Sequence, residues 1–274
     1  MKVLGLLLCV VAAASAAPSP SYIELARGGR VVGGVDALPH EFPSIVSIHR
    51  LLLTIRSHIC GGSIVNSHTI LTAAHCITES GNNPRFEVVA GAHNILQNEA
   101  SQQRRDVARW VVHPDYIGGV AQTDIAVMIL ASPVNFIPGV VAIAHLPGQN
   151  CHHPAEQPAT LAGWGSTSGT QVPSMPAILQ KVTKPIITWA ECERANGGPG
   201  MSPLGETNVC TGPLTGGVSA CSGDSGGPLY LSDNQRTQIG IVSWGWVPCG
   251  SFDRPSVYVN TACYRNWIDQ HAHN

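Results

Sequence analysis

Charge is scarce in this chain. Asp, Glu, Lys and Arg make up only 12% of its 274 residues, against 44% hydrophobic residues, 29 Gly and 20 Pro. So few charges and so many turn formers disfavour a disordered or helical protein and favour a β-rich secreted one. The net charge of −2 gives no electrostatic reason to bind nucleic acid or an anionic membrane. Apart from residues 3–14 no apolar run stands out, and that one is shorter than the roughly 20 residues a membrane span needs. No Cys-x-x-Cys pair occurs, which disfavours zinc and leaves no metal expected. No Asn-x-Ser/Thr sequon occurs either, which argues against N-glycosylation. Internal repeats, low-complexity tracts and a Cys-rich accessory domain are also missing.

What is present begins with a secretory signal over residues 1–16: Lys2 as the positive flank, the apolar stretch, and Ala14-Ser15-Ala16 as a small-residue cleavage site. Of nine cysteines, Cys9 would leave with it, so eight remain, an even number suited to an oxidising compartment. Eight cysteines allow 105 pairings, and sequence alone does not choose among them. Residues 17–30, rich in Ala, Ser, Pro and Gly, end in Arg27-Gly28-Gly29-Arg30 and are followed by Val31-Val32-Gly33-Gly34.

From Phe42 onward, short β-rich runs alternate with Gly, Pro and Asn turns. Strands are predicted near 44–48, 62–66, 86–90, 109–113 and 125–130, then 160–164, 180–185, 227–231 and 238–244. This spacing without helical patterns between predicts antiparallel barrels or sandwiches. Only residues 262–271 read as a helix, with Tyr264, Trp267 and Ile268 on one side.

Three segments carry chemistry. In Gly223-Asp224-Ser225-Gly226-Gly227-Pro228 a serine stands between glycines that let the backbone turn tightly and aim amide N–H groups at one point. A hydroxyl becomes a useful nucleophile only with a base to take its proton and donors to hold the oxyanion. Thr72-Ala73-Ala74-His75-Cys76 offers the imidazole, and Asp124-Ile125-Ala126-Val127 a carboxylate at the head of an apolar strand. Taken in the order His75, Asp124, Ser225, these motifs resemble the chymotrypsin/trypsin family of serine proteases, and the resemblance runs from Val31 to the C-terminus.

The resemblance implies an all-β fold of two six-stranded antiparallel barrels with a C-terminal helix, the first barrel about 31–141 and the second about 142–260. The active site would lie between them. It implies His75 as general base, Asp124 as its orienting partner, Ser225 as nucleophile, and the N–H groups of Gly223 and Ser225 as the oxyanion hole. Ser243 would hydrogen-bond Asp124. The implied disulfides are Cys60–Cys76, Cys151–Cys263, Cys192–Cys210 and Cys221–Cys249. Another bridge of the family is missing, with Thr160 and Leu231 read as its ends. Residues 17–30 become an activation propeptide, cut after Arg30 by a trypsin-like protease so that the new Val31 ammonium pairs with Asp224. Ser47 and His58 match positions that hold Asp224 beforehand. Activity would fall at high pH as that ammonium loses its proton.

Substrate preference would be set by Ser219, Gly245 and Ser256, beside Trp244. Ser219 supplies no countercharge for Arg or Lys. Gly245 leaves the entrance open, and Ser256 replaces the Gly of the chymotrypsin pattern and would trim the pocket. Cleavage after Phe, Tyr, Leu or Met follows, with elastase-like or collagenolytic specificity as alternatives. In the loop Gly91-Ala92-His93-Asn94-Ile95 a first calcium carboxylate is lacking, so neither metal nor cofactor is expected. The apolar stretch at 51–55 would lie on the leaving-group side of a substrate. Arthropod gut chymotrypsins and crustacean collagenolytic enzymes are the similar group. A secreted, monomeric digestive enzyme acting on proteins and peptides in a gut lumen, and open to protein inhibitors, is therefore expected. A cascade protease would more often carry regulatory domains, and a non-enzymatic binding homologue would require a damaged triad.

Overall fold

Antiparallel strands linked by turns and loops make up most of the regular structure. In the computed structural model residues 32–53, 55–152, 154–233 and 236–272 are described. Residues 1–16, read as a secretory signal, the 17–30 segment and Val31 lie outside them. In chain order the elements are β1 (Val35–Asp36), β2 (Ile45–Leu52), β3 (Ile55–Asn66), β4 (Thr69–Thr72), α1 (His75–Thr78), β5 (Arg85–Ala90), β6 (Gln103–Val112) and β7 (Ala126–Leu130). Then follow β8 (Pro158–Gly163), β9 (Gln180–Pro185), α2 (Trp189–Ala195), β10 (Asn208–Thr211), β11 (Pro228–Leu231), β12 (Gln238–Trp244), β13 (Ser256–Asn260) and α3 (Arg265–Ala272).

Strands β2 to β7 close an antiparallel barrel in the order β2-β3-β4-β7-β6-β5. Its interior is filled by Val46, Ile48, Ile64, Ile70 and Met128, all fully buried. Closure leaves no unpaired edge, so apolar strands can pack without offering a template to another chain. Leu52, Leu53 and Ile55, from the apolar stretch at 51–55, stand exposed where β2 turns into β3.

The second half is a sheet in the order β1-β9-β8-β11-β12-β13-β10. Where a second closed barrel is expected, six of these strands form a half-barrel whose outer strands β9 and β10 meet only through a short seam. Past Pro185, Ile186 bridges Thr211, Ile187 N–H donates to Cys210 O and Gly212 N–H to Pro185 O. Proline has no N–H to extend the ladder at that point. The seventh strand corrects the boundary near 31: Val35 and Asp36 do not join the first barrel but pair with Lys181 and Gln180 of β9. They cover an edge that would otherwise stand open. The ends assigned to the missing bridge also need correction, since Leu231 lies opposite Ala159, not Thr160. Thr160 points the other way, to Thr183 and Ser232, because successive strand residues face opposite sides.

Helix α3 starts three residues later than predicted, after Cys263 is fixed by its disulfide to Cys151. Its Ile268, with Tyr264, enters the core of the first barrel, and its last carbonyl, on Ala272, accepts from Asn66 and Thr69. The chain's two ends are thus exchanged, the first strand on the second sheet and the last helix on the first barrel. Helix α2 was not foreseen. It opens with a capping box in which Thr188 Oγ1 accepts from Glu191 N–H and Glu191 accepts from Thr188 N–H.

Candidate active site

The first barrel supplies the imidazole and the carboxylate. His75 opens the one-turn helix α1, and Cys76 ties it to Cys60 on β3. Asp124, almost fully buried just before β7, accepts from the His75 backbone N–H at 2.9 Å and from His75 Nδ1 at 2.7 Å. Ser243 Oγ, from β12, donates to the same carboxylate at 2.6 Å. An ionised carboxylate only accepts, so Nδ1 carries the proton and Nε2 keeps the lone pair of a base. Burial opposes a charged ring at His75, but the hydrogen bond and charge of Asp124, with Glu79 behind, outweigh it and raise the pKa above the usual histidine value.

Ser225 comes from the second half, in the turn before β11. Its carbonyl accepts from Gly61 N–H of β3 at 2.8 Å, which docks the turn on the strand that carries Cys60. Its hydroxyl makes no hydrogen bond to His75 among the described residues; in enzymes such contacts often tighten only with substrate in place. Within this turn Asp224, Gly226 and Gly227 donate their N–H groups to Cys221, Val242 and Asp224. The N–H groups of Gly223 and Ser225 have no acceptor among the described residues. Gly223 has φ +95°, and a Cβ there would stand 2.5 Å from Met175 Cε and 3.1 Å from Gly165 Cα, so only glycine suits the turn.

Asp224 is fully buried, and its carboxylate accepts from Gly165 N–H at 2.9 Å and Cys221 N–H at 3.0 Å. Burial pushes its pKa up to about 6, against these hydrogen bonds and the charge of Lys184. Ser47 and His58 do not touch it. Burial lowers His58 to about 4, so the neutral ring donates from Nε2 to Gly223 O at 3.0 Å and accepts from Ser47 at 2.7 Å. The space for the Asp224 carboxylate exists because residues 163 and 165 are glycines, and a Cβ at either would overlap it. Gly165→Ala is expected to destabilise the protein by about 1–3 kcal/mol, measured by denaturant unfolding, with activity lost more steeply than stability.

Beside Ser225 opens a cleft of about 150 Å³, walled by Ala220, Cys221, Val242, Trp244, Gly245 and Cys249. The Cys221–Cys249 disulfide is formed within that wall, and Cys151–Cys263 and Cys192–Cys210 are formed as well. Gly245 leaves the mouth without a side chain; a Cβ there would come to 3.9 Å from Pro255 O and 4.0 Å from Ser256 Cα and narrow it. Ser219 and Ser256 are buried rather than on the wall, Ser256 Oγ accepting from Ala220 N–H at 3.0 Å. Behind it stands a residue that the sequence reading passed over. Lys184, 1% exposed, donates from Nζ to Tyr258 Oη at 2.8 Å and Ser256 Oγ at 3.1 Å. The signal was its phase on β9, where Gln180, Val182 and Lys184 alternate inward.

The described residues contain one cluster of metal-type ligands: Cys60, His75 and Cys76. Both sulfurs are in a disulfide and His75 Nδ1 is on Asp124, so the donor set does not suit a metal. In the 91–95 loop Glu99 accepts from His93 and Asn94 N–H, which spends its oxygens on the backbone.

Comparison with known proteins agrees with this geometry. The family model described as Trypsin matches residues 31–268. Trypsin-1 of Astacus astacus is 36% identical over 245 residues, covering 88% of this chain and all of the relative. Chymotrypsin-C of Bos taurus is 34% identical over 247 residues, covering 88% of each, and trypsin of Sus scrofa is 33% identical over 241 residues, covering 88% and 95%. The chain belongs to the trypsin family of serine proteases. Its four disulfides fit an extracellular protein, and among the described residues no helix is long and apolar enough to cross a membrane.

Proposed function

We propose that this serine protease is a secreted endopeptidase, made as a precursor cleaved after Arg30, that cuts proteins after large uncharged side chains such as Phe, Tyr, Leu and Met. The observation that carries the catalytic part is the pair of unclaimed N–H donors on Gly223 and Ser225, in a turn where the amides of Asp224, Gly226 and Gly227 are bonded. In this reading Ser225 Oγ attacks the substrate carbonyl while His75 Nε2 takes its proton, and the two amides receive the oxyanion. His75 then returns the proton to the leaving amine, and water releases the acyl group from Ser225 by the same steps. Asp124 holds the imidazole in the required tautomer. The open mouth at Gly245 and the Ser at 219 support an uncharged or apolar side chain over Arg or Lys. Digestion of dietary protein is the role we favour, and the similarity to Trypsin-1 of a crayfish supports it.

The test is an assay of the recombinant precursor before and after trypsin treatment, on peptides that differ only in Phe, Leu, Ala or Arg before the cut. Activity that appears on treatment, led by Phe or Leu, supports the reading; a lead for Ala or Arg overturns the pocket assignment. The pH profile gives a further expectation. His75 must be neutral to act, and its pKa is raised, so kcat/KM should fall on acidification with a midpoint above the usual value of about 6.5. A midpoint below that value in single-turnover assays would contradict the role given to Asp124.

A further inference from the structure

Lys184 is a buried cation that the catalytic reading does not use. It sits on the inward phase of β9, 1% exposed, and among the described residues no carboxylate lies within ion-pair distance of it. Burial drives its pKa down to about 7, and Asp224 opposes that only through space. An ammonium has three N–H donors, and two are spent, on Tyr258 Oη and Ser256 Oγ. Tyr258 Oη is itself shared with Thr211 Oγ1 at 3.1 Å.

This cation stands directly behind the substrate cleft. Ser256 Oγ bridges Lys184 Nζ to the N–H of Ala220, and Ala220 lines the cleft beside Ser225. The neighbouring residue, Ser219, carries a buried hydroxyl with no hydrogen-bond partner among the described residues. Directly behind the wall of the cleft there are therefore one N–H of Lys184 without an acceptor, the hydroxyl of Ser219, and an amine with no carboxylate in ion-pair contact among the described residues. Buried polar groups left in that condition are costly, and a charged acceptor with several lone pairs is what satisfies them together. A buried cation disfavours Arg and Lys by like charge.

We infer that the cleft base is built to receive a carboxylate, and that the enzyme cleaves after glutamate as well as after large uncharged residues. Glutamate fits better than aspartate because its extra methylene carries the carboxylate deeper, toward Ser219 and Ser256. Lys184 is then a specificity-determining residue that acts on the bound side chain and leaves the chemistry at Ser225 untouched. The inference rests on the endopeptidase reading above, and the experiment separates the two.

Activated enzyme is assayed on matched peptides with Glu, Gln or Leu before the cut. Gln is nearly isosteric with Glu and uncharged, so the ratio of their kcat/KM values isolates the charge and cancels any loss common to both. The wild type should prefer Glu over Gln by about tenfold or more, and Lys184→Met should bring that ratio to about one. Lys184→Arg, which keeps the charge, should retain a preference for Glu. A wild-type ratio of one or below overturns the inference without need of any variant. A ratio that survives in folded Lys184→Met overturns it too. Failure to cleave any of the three peptides, with correct cleavage after Arg30, would instead overturn the endopeptidase reading.

Discussion

Ser225→Ala is expected to lower kcat by about a million-fold, the scale for loss of a triad nucleophile, while the unfolding midpoint stays near that of the wild type. The two halves of this expectation come from different parts of the structure. The hydroxyl makes no hydrogen bond that the fold depends on. What docks the turn on the first barrel is the Ser225 carbonyl, bonded to Gly61 N–H, and alanine keeps it. The amides of Gly223 and Ser225 also remain, so the variant should still bind substrate and should retain the small catalysis due to the oxyanion donors. A stopped-flow assay should show no burst of acyl-enzyme. If the variant kept a burst, or lost no more than about tenfold in rate, Ser225 would not be the nucleophile.

Asp124→Asn is expected to cost about four orders of magnitude in kcat, with little loss of fold. Asp124 takes three hydrogen bonds, from the His75 backbone, His75 Nδ1 and Ser243. An amide of the same shape keeps one acceptor oxygen and turns an N–H₂ toward one of those donors. The imidazole then escapes the clash by carrying its proton on Nε2, which removes the base from the side that faces Ser225. The remaining activity should have its acid limb moved to lower pH. At His75 burial depresses the pKa and Asp124 raises it, so without the negative charge burial is left. A merely structural role for Asp124 would change the rate and leave that limb in place.

The site was more legible in the sequence than the fold around it. His75, Asp124 and Ser225 sit in short segments whose residue types the chemistry dictates, and the structure brings the first two into contact and places the third on the cleft. Strands such as Gln180–Pro185 and Gln238–Trp244 were read with their observed bounds. Strands β4, β10 and β13 were missed, and all three are buried at every residue, so they lack the in-out alternation that reveals a strand. Register was illegible for a related reason. Whether Leu231 meets Ala159 or Thr160 depends on pairing across the sheet, which a single-residue slip reverses. Lys184 was hidden by its type, since lysines are almost never fully buried, although its position on β9 pointed inward.

The exchange of chain ends between the two halves constrains how this molecule comes into being. While it is being synthesised, β1 is made early but has no partner until β9 emerges, and the first barrel lacks Tyr264 and Ile268 until the last residues are made. Neither half is a self-sufficient unit, and the cleft between them is assembled only when the entire chain is available. A fragment released before residue 225 has the base but no nucleophile, and one released after it still lacks the helix that enters the first barrel. For a protein whose chemistry is the destruction of other proteins, the same topology also delays that chemistry until α3 has been made.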